Sequence, residues 1–325
     1  MPAPAPDVAL NRWLPGMGAL ALIWGSSFLF IKVAVAELHP LYVTLGRVGF
    51  GALTLTAVVA VSRQRLPRDP TLWAHNAVVA AVGTAAPFTL FAYGEQRVSS
   101  VLAGIWNSVT PLVVLPMAVL AFRTERFTPR KLLGLALGLL GALVILGVWR
   151  GVGGSSLAGQ LMCFGAAACY GFAIPYQKRF VAPRQESGLV ISLVQLLLAT
   201  ALMAVLAPVV TGDIPEISAL SGPAVASIVA LGALGTGIAF VIHMRNIRLI
   251  GATLASMVTY IIPIFATLIG VMVLREDLHW YQPVGAAVVL TGVAVSQGLL
   301  RPRSRLRPDA ALAAGPAPIG RGGAR

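Results

Sequence analysis

Apolar residues in this chain fall into long unbroken runs; they neither alternate with polar residues nor mark a single stripe at helical spacing. Divided at charges and turn residues, the runs cover ten segments: 17–36, 41–61, 73–93, 98–121, 131–149, 157–177, 188–210, 223–244, 249–274 and 281–300. Most reach the roughly 20 residues that carry a helix across a hydrocarbon core of about 30 Å. A chain in lipid must satisfy its own backbone donors and acceptors, so runs of this length predict helices. The expected fold class is an all-α polytopic membrane protein with ten transmembrane helices. Connectors are short, and no soluble domain fits between them.

Composition removes the alternatives. With 57% apolar residues, 11% charged residues and a mean hydropathy of +0.84, the chain carries less than half the charge of a typical soluble domain, which is about 25%. It is also far too apolar for intrinsic disorder. The net charge of +13 would suit a nucleic-acid partner, but the arginines are strung between apolar segments and form no aromatic-interleaved basic face. Their distribution instead reads as topology. With a cytoplasmic amino end and ten crossings, nineteen Lys and Arg fall inside and three (Arg97, Arg150 and Arg275) outside, with Lys32 and Arg47 within spans. Both termini are therefore expected in the cytoplasm of a multi-pass plasma- or inner-membrane protein. Residues 1–16 would form a short amino-terminal segment, and 301–325 a basic disordered tail. The Pro-rich start lacks the basic region of a cleavable leader. The two cysteines, Cys163 and Cys169, support no disulfide or metal framework. No cofactor is expected.

The halves repeat. Trp24-Gly25 followed by Lys32 returns as Tyr170-Gly171 followed by Lys178. Gly83-Thr84, Phe88, Leu102-Ala103 and Pro111 return as Gly235-Thr236, Phe240, Leu254-Ala255 and Pro263. Glu125, Gly134, Gly141 and Gly147 return as Glu276, Gly285, Gly292 and Gly298. Their collinear order divides the chain into five-helix repeats at 17–149 and 157–300. An odd number of spans per repeat places the second copy upside down. Inverted repeats are an architecture of secondary transporters, in which two antiparallel halves exchange conformations around one midplane site.

The motifs Trp24-Gly25-Ser26-Ser27-Phe28 through Lys32, Arg47, Pro111, Glu125 and Gly134, with their second-half partners, resemble the EamA-type family of the drug/metabolite transporter superfamily. The resemblance covers roughly residues 17–300. It implies a ten-span permease that exports a small metabolite, amino acid or drug, with small-molecule substrate and membrane lipid as its partners and no nucleic acid. It specifies neither the solute nor the oligomeric state.

Candidate site residues follow from polarity within spans. Lys32 and Arg47 are the intramembrane cations, read either as snorkelling groups or as an electropositive lining for an anionic or zwitterionic solute. Trp24, Ser27, Tyr93, Trp106, Asn107, Tyr170, Tyr176, Thr259 and Tyr260 are candidate cavity residues; interhelical hydrogen bonding is the competing reading for each hydroxyl or amide. Asn107 and Thr259 each stand four residues before a proline, Pro111 or Pro263, where a helix break would expose carbonyls. Every acidic residue falls in a loop or at a span end, so coupling to protons would use Glu95 or His243. Gly134-x-x-x-Gly138 and Gly141 are expected to pack helices within one repeat.

No Gly-x-x-x-x-Gly-Lys-Ser/Thr sequence is present, which excludes ATP drive by a P-loop in this chain. The remaining alternatives are a polytopic channel or receptor and, on the Gly25-Ser26-Ser27 stretch, an intramembrane enzyme. No His-Glu-x-x-His or Gly-x-Gly-Asp signature accompanies that stretch.

Overall fold

In the computed structural model, which describes residues 10–124, 126, 128–146, 156–184, 186–255 and 258–297, the apolar runs are helical, and no strand occurs among the described residues. Helix α1 is Leu10–Ala34, α2 Pro40–Val61, α3 Pro70–Glu95, α4 Ser100–Ala121 and α5 Pro129–Leu146. Helix α6 is Leu157–Phe180, α7 Gly188–Thr211, α9 Val258–Leu274 and α10 Tyr281–Gln297; α8 continues through Gly222–Val229, Ala230–Ile238 and Ala239–Ala255. Among the described residues, seven helices, α1 to α4 and α6 to α8, are long and apolar enough to cross a membrane, while α9 and α10 contain shorter apolar stretches.

Local chemistry sets the helix ends. Asp69, Ser99, Ser156 and Ser221 each accept a backbone N–H of the first turn of α3, α4, α6 and α8, satisfying donors that would otherwise be orphaned. Prolines occupy the first turns of α2, α3 and α8, where a missing N–H costs nothing. Helix α7 stops at Gly212, whose φ of 71° suits a residue without a Cβ. Arg123 and Arg275, just past α4 and α9, both take a φ of 53°.

Three sequence expectations need correcting. Helix α1 reaches back to Leu10, so part of the segment 1–16 is helical. Helix α8 runs on to Ala255 through the point where 244/249 was expected to separate two spans. Arg245 and Arg248 are exposed on this stretch while Asn246 and Ile250 are buried, so an amphipathic extension carries the charges that read as a loop. Pro263 lies inside α9; a proline removes one backbone donor, and the surrounding turns hold the helix. At Pro111 the chain does leave the helix, at Ser108–Val109, and resumes at Thr110. Glu125, Gly147, Gly298 and the tail 301–325 lie outside the described residues.

The sequence also gave no sign of three wider, π-helical turns, at Ala81–Ala85, Met117–Ala121 and Ala230–Ile238. The first and third hold the repeated Gly83-Thr84 and Gly235-Thr236. Such turns recur at functional sites.

Helix packing joins the halves. Helix α1 packs on α8 and α9, as α6 packs on α3 and α4; α2 packs on α8, as α7 packs on α3; and α2 meets α7, α4 meets α9 and α5 meets α10. Each pairing thus has a counterpart five helices away. Gly134 abuts Gly292 and Gly141 abuts Gly285, so α5 and α10 run in opposite directions. These glycines therefore close the seam between halves, not the contact within one repeat that the motif suggested; Gly138 meets Leu112 of the first half as well as Gly292 across the seam. Outward-facing leucines such as Leu132, Leu133, Leu139 and Leu140 suit a lipid surround.

Candidate functional site

Helices α1 and α2 pack on the π-helical turn of α8, and α3 and α6 bring Phe88 and Tyr170 up to Arg47 of α2. Wider winding at Ala230–Ile238 lets the Thr236 hydroxyl donate to Leu231 O at 3.0 Å while accepting from Arg47 Nε at 3.2 Å. The Arg47 guanidinium lies over the Phe88 ring, 3.7 Å from its centroid, and the residue is only 8% exposed. Trp24 Nε1 donates to Gly235 O at 3.2 Å, and its indole packs on the His243 ring. Tyr170 packs on Phe91, which in turn meets Phe28 edge-on. Trp24, Tyr170, His243, Arg47 and Thr236 come from both halves and line this junction.

At one end of the bundle, Lys32 Nζ donates to Glu95 O at 2.6 Å and Val98 O at 2.8 Å, capping the carbonyl end of α3. The Glu95 carboxylate is fully buried, and neither oxygen has a hydrogen-bond partner among the described residues. Lys32, Arg47 and Glu276 are the charges near enough to act on it. A cavity of about 330 Å³ opens here, lined by Lys32, Val35, Ala36, Glu95 and Gln96. Glu276 accepts from Ser100 N, Ser100 Oγ and Val101 N, so its charge sits on the amino end of α4. Tyr93 meets His39 across 3.3 Å.

Two latches tie loops to helix starts at opposite ends. Glu37, after α1, accepts from Ser221 N at 2.8 Å and Ser221 Oγ at 2.5 Å. Arg184, after α6, donates to Asp69 Oδ2 at 3.1 Å. Ser221 begins α8 and Asp69 begins α3, so the two latches occupy matching places in the two halves. The Ser221 hydroxyl and then its backbone N–H hold the Glu37 carboxyl below its usual 4.5. The Thr71 N–H, aided by Arg184, does the same for Asp69. Near the second latch an aromatic cluster closes the bundle: His75 Nδ1 and the Tyr176 hydroxyl share a hydrogen bond of 2.8 Å, and Tyr176 packs among Phe122, Phe172 and Phe180. Arg179 Nη1 donates to Phe122 O at 2.6 Å.

A pH dependence follows from Glu37. Its folded-state pKa is depressed, so its contribution is complete above the unfolded value and is lost as pH falls through the folded value. Glu37→Gln is expected to lower the melting temperature modestly at pH 7, measured on the purified protein in detergent. That gap should be complete above the ordinary carboxylate value of 4.5 and narrow as pH falls below it; a gap that widens or holds steady on acidification would assign the effect to another cause.

The remaining candidates divide. The Ser27 hydroxyl is buried and donates to Ile23 O of its own helix. Trp106 is buried in the core, and its N–H donates to Gln160 Oε1 at 3.2 Å, so it joins α4 to α6. Asn107 is half-buried and makes no hydrogen bond to a described residue, and Thr259 is half-buried. The side chain of Tyr260 lies outside the described residues. Tyr176 sits at the far end, in the aromatic cluster. His243, a coupling candidate, lies within α8, and its Nδ1 is buried without a hydrogen-bond partner among the described residues. Sequence reasoning left Thr236 and Phe88 out of the site; the repeated Gly-Thr and Phe positions were the available signal.

Comparison with known proteins gives a consistent result. The "EamA-like transporter family" model matches residues 12–147 and 157–297. The uncharacterized transporter YoaV of Bacillus subtilis is 24% identical over 86% of this chain and 94% of its own length. The uncharacterized inner membrane transporter YedA of Escherichia coli K12 is 25% identical over 88% and 91%. One solved crystal structure superposes with a TM-score of 0.61 at 21% identity, covering 90% of this chain and 98% of its own, a likeness of fold. With both family matches falling on the two helical halves that enclose the junction, this multi-pass membrane protein belongs to the EamA-like transporter family.

Proposed function

We propose that the chain is a secondary transporter that moves a small metabolite, amino acid or drug across the plasma or inner membrane by alternating access. In this reading ten helices form two inverted repeats, 17–149 and 157–300, and both termini are cytoplasmic. The observation that carries it is the packing pattern, which is preserved when α1–α5 are exchanged for α6–α10, with α5 and α10 antiparallel. A twofold axis in the membrane plane generates such a pattern, and it passes between halves that share a central site. The matching latches at Glu37–Ser221 and Asp69–Arg184 stand where two alternately opening gates would. The arginine-rich connectors support a cytoplasmic assignment for the end holding Asp69, Arg184 and the aromatic cluster. Export is the direction that the family resemblance implies.

The test is counterflow. A solute identified by resistance and efflux in cells overexpressing the full chain is loaded into proteoliposomes, and uptake of the labelled solute is followed. Saturable uptake accelerated by unlabelled solute inside is expected. Flux that rises linearly with concentration, with no trans-stimulation, would make the protein a channel.

A further inference from the structure

We propose that Arg47 is the anion-binding residue of the transport pathway, and that the transported solute carries a carboxylate gripped by the two terminal nitrogens of this guanidinium. The inference rests on the transport reading and deepens it.

A guanidinium keeps its proton throughout the physiological pH range, so a buried one stays charged. Burial of the unpaired charge therefore carries a large desolvation penalty. A structural arginine answers that cost by spreading its five N–H donors over carbonyls or a carboxylate. Arg47 does neither. Its one hydrogen bond to a described residue runs from Nε to the neutral Thr236 hydroxyl, and its plane is held on Phe88. Both terminal nitrogens are left without a partner among the described residues. The Glu95 carboxylate, close enough to feel the charge, forms no hydrogen bond with it.

One edge and one face of the fork are thus fixed, and the end-on pair of donors is vacant. That pair matches two coplanar oxygens, as a carboxylate presents them. A phosphate dianion would call for a second free cation, but Lys32, the other cation near Glu95, is engaged with Glu95 O and Val98 O. Phe88, Trp24 and Tyr170 nearby offer apolar surface to the rest of such a solute. Thr236 belongs to the second half and Phe88 to the first, so relative movement of the halves would form or release the grip.

The test uses the full chain in detergent, with acetate, benzoate and indole-3-acetate as probes; benzylamine and phenyl phosphate are the contrasts. Binding is read from tryptophan fluorescence and from the shift in melting temperature. At least one monocarboxylate should bind saturably to wild type, and benzylamine should not. Arg47→Lys keeps the charge and loses the planar fork, and should weaken that binding about tenfold; Arg47→Gln should weaken it further. An Arg47 with a purely structural role would lower the melting temperature of the variants without changing carboxylate affinity, which would overturn the proposal. Failure of all three monocarboxylates to bind, or tighter binding of phenyl phosphate, would overturn it too. Counterflow by wild type in the absence of carboxylate binding would remove this inference alone. Carboxylate binding at Arg47 without counterflow of any solute would remove the transport reading instead.

Discussion

Gly134→Val is expected to leave little monodisperse protein after extraction, and what remains should melt well below wild type. A Cβ at Gly134 would stand 2.4 Å from Gly292 O and 2.6 Å from Ser296 Cβ, and a Cβ at Gly292 would stand 2.6 Å from Gly134 O. The obstruction at each position includes backbone of the facing helix, so no rotamer change relieves it. Overpacking inside a fitted interface costs about 1–3 kcal/mol even when neighbours can move, and here α5 and α10 must separate as bodies. Each has the other as its principal neighbour, so parting them exposes both and undoes the link between halves at that edge. Gly18→Ala is the control. Nothing lies within 4 Å of a Cβ there, and alanine favours an exposed helix position by about 1 kcal/mol, so this variant should melt at or slightly above wild type. Recovery and melting in size-exclusion chromatography and differential scanning fluorimetry decide it. A Gly134→Val protein equal to wild type would mean that the two helices do not meet along this seam.

The long apolar runs made the helices legible, because a hydrocarbon solvent leaves the backbone few alternatives. Boundaries were harder wherever charge and helix coincide. Arg245 and Arg248 interrupt an apolar run, yet they continue α8 because they project from one face while Asn246 and Ile250 fill the other. Pro263 reads as a break and is absorbed within α9. The π-helical turns left no composition signal, since a single extra residue per turn changes no hydropathy average. In the site, residue type identified Trp24, Lys32, Tyr170, Glu95 and His243 as interesting but could not say what each touches. The partners are distant in sequence: Arg47 and Thr236 are 189 residues apart, and Glu37 and Ser221 are 184 apart. Only the packing of one half on the other joins them. Trp106 is the converse case, a polar aromatic in a span whose N–H is taken by Gln160, a contact that residue type alone does not announce.

Lys32→Met is expected to reduce transport at least tenfold and to lower the melting temperature by several degrees, with membrane insertion intact. A snorkelling lysine would have its ammonium in the interface, whereas this one bonds two carbonyls at the end of α3 and stands beside a fully buried carboxyl group. Methionine keeps the stem, leaves Glu95 O and Val98 O without their donor, at about 1–3 kcal/mol for each carbonyl that stays dry, and removes a positive charge acting on Glu95. Because two effects are combined, the double variant carries the decision. If Lys32 compensates Glu95, Lys32→Met with Glu95→Gln should recover part of the lost melting temperature, and the two changes should be non-additive by about 1 kcal/mol or more. Strict additivity would mean that the ammonium acts through the carbonyls alone. Glu95→Gln by itself exchanges a carboxyl group that has no hydrogen bond to a described residue for a neutral amide of the same shape, so the fold should hold. In proteoliposomes with an imposed pH gradient, a proton route through Glu95 predicts that this variant keeps counterflow and loses acceleration by the gradient. His243→Gln, on a half-buried ring packed against Trp24, should then leave the acceleration in place. If the outcomes are reversed, with the gradient still felt by Glu95→Gln and lost in His243→Gln, the proton path belongs to the α1–α8 contact and Lys32 serves only to hold α3.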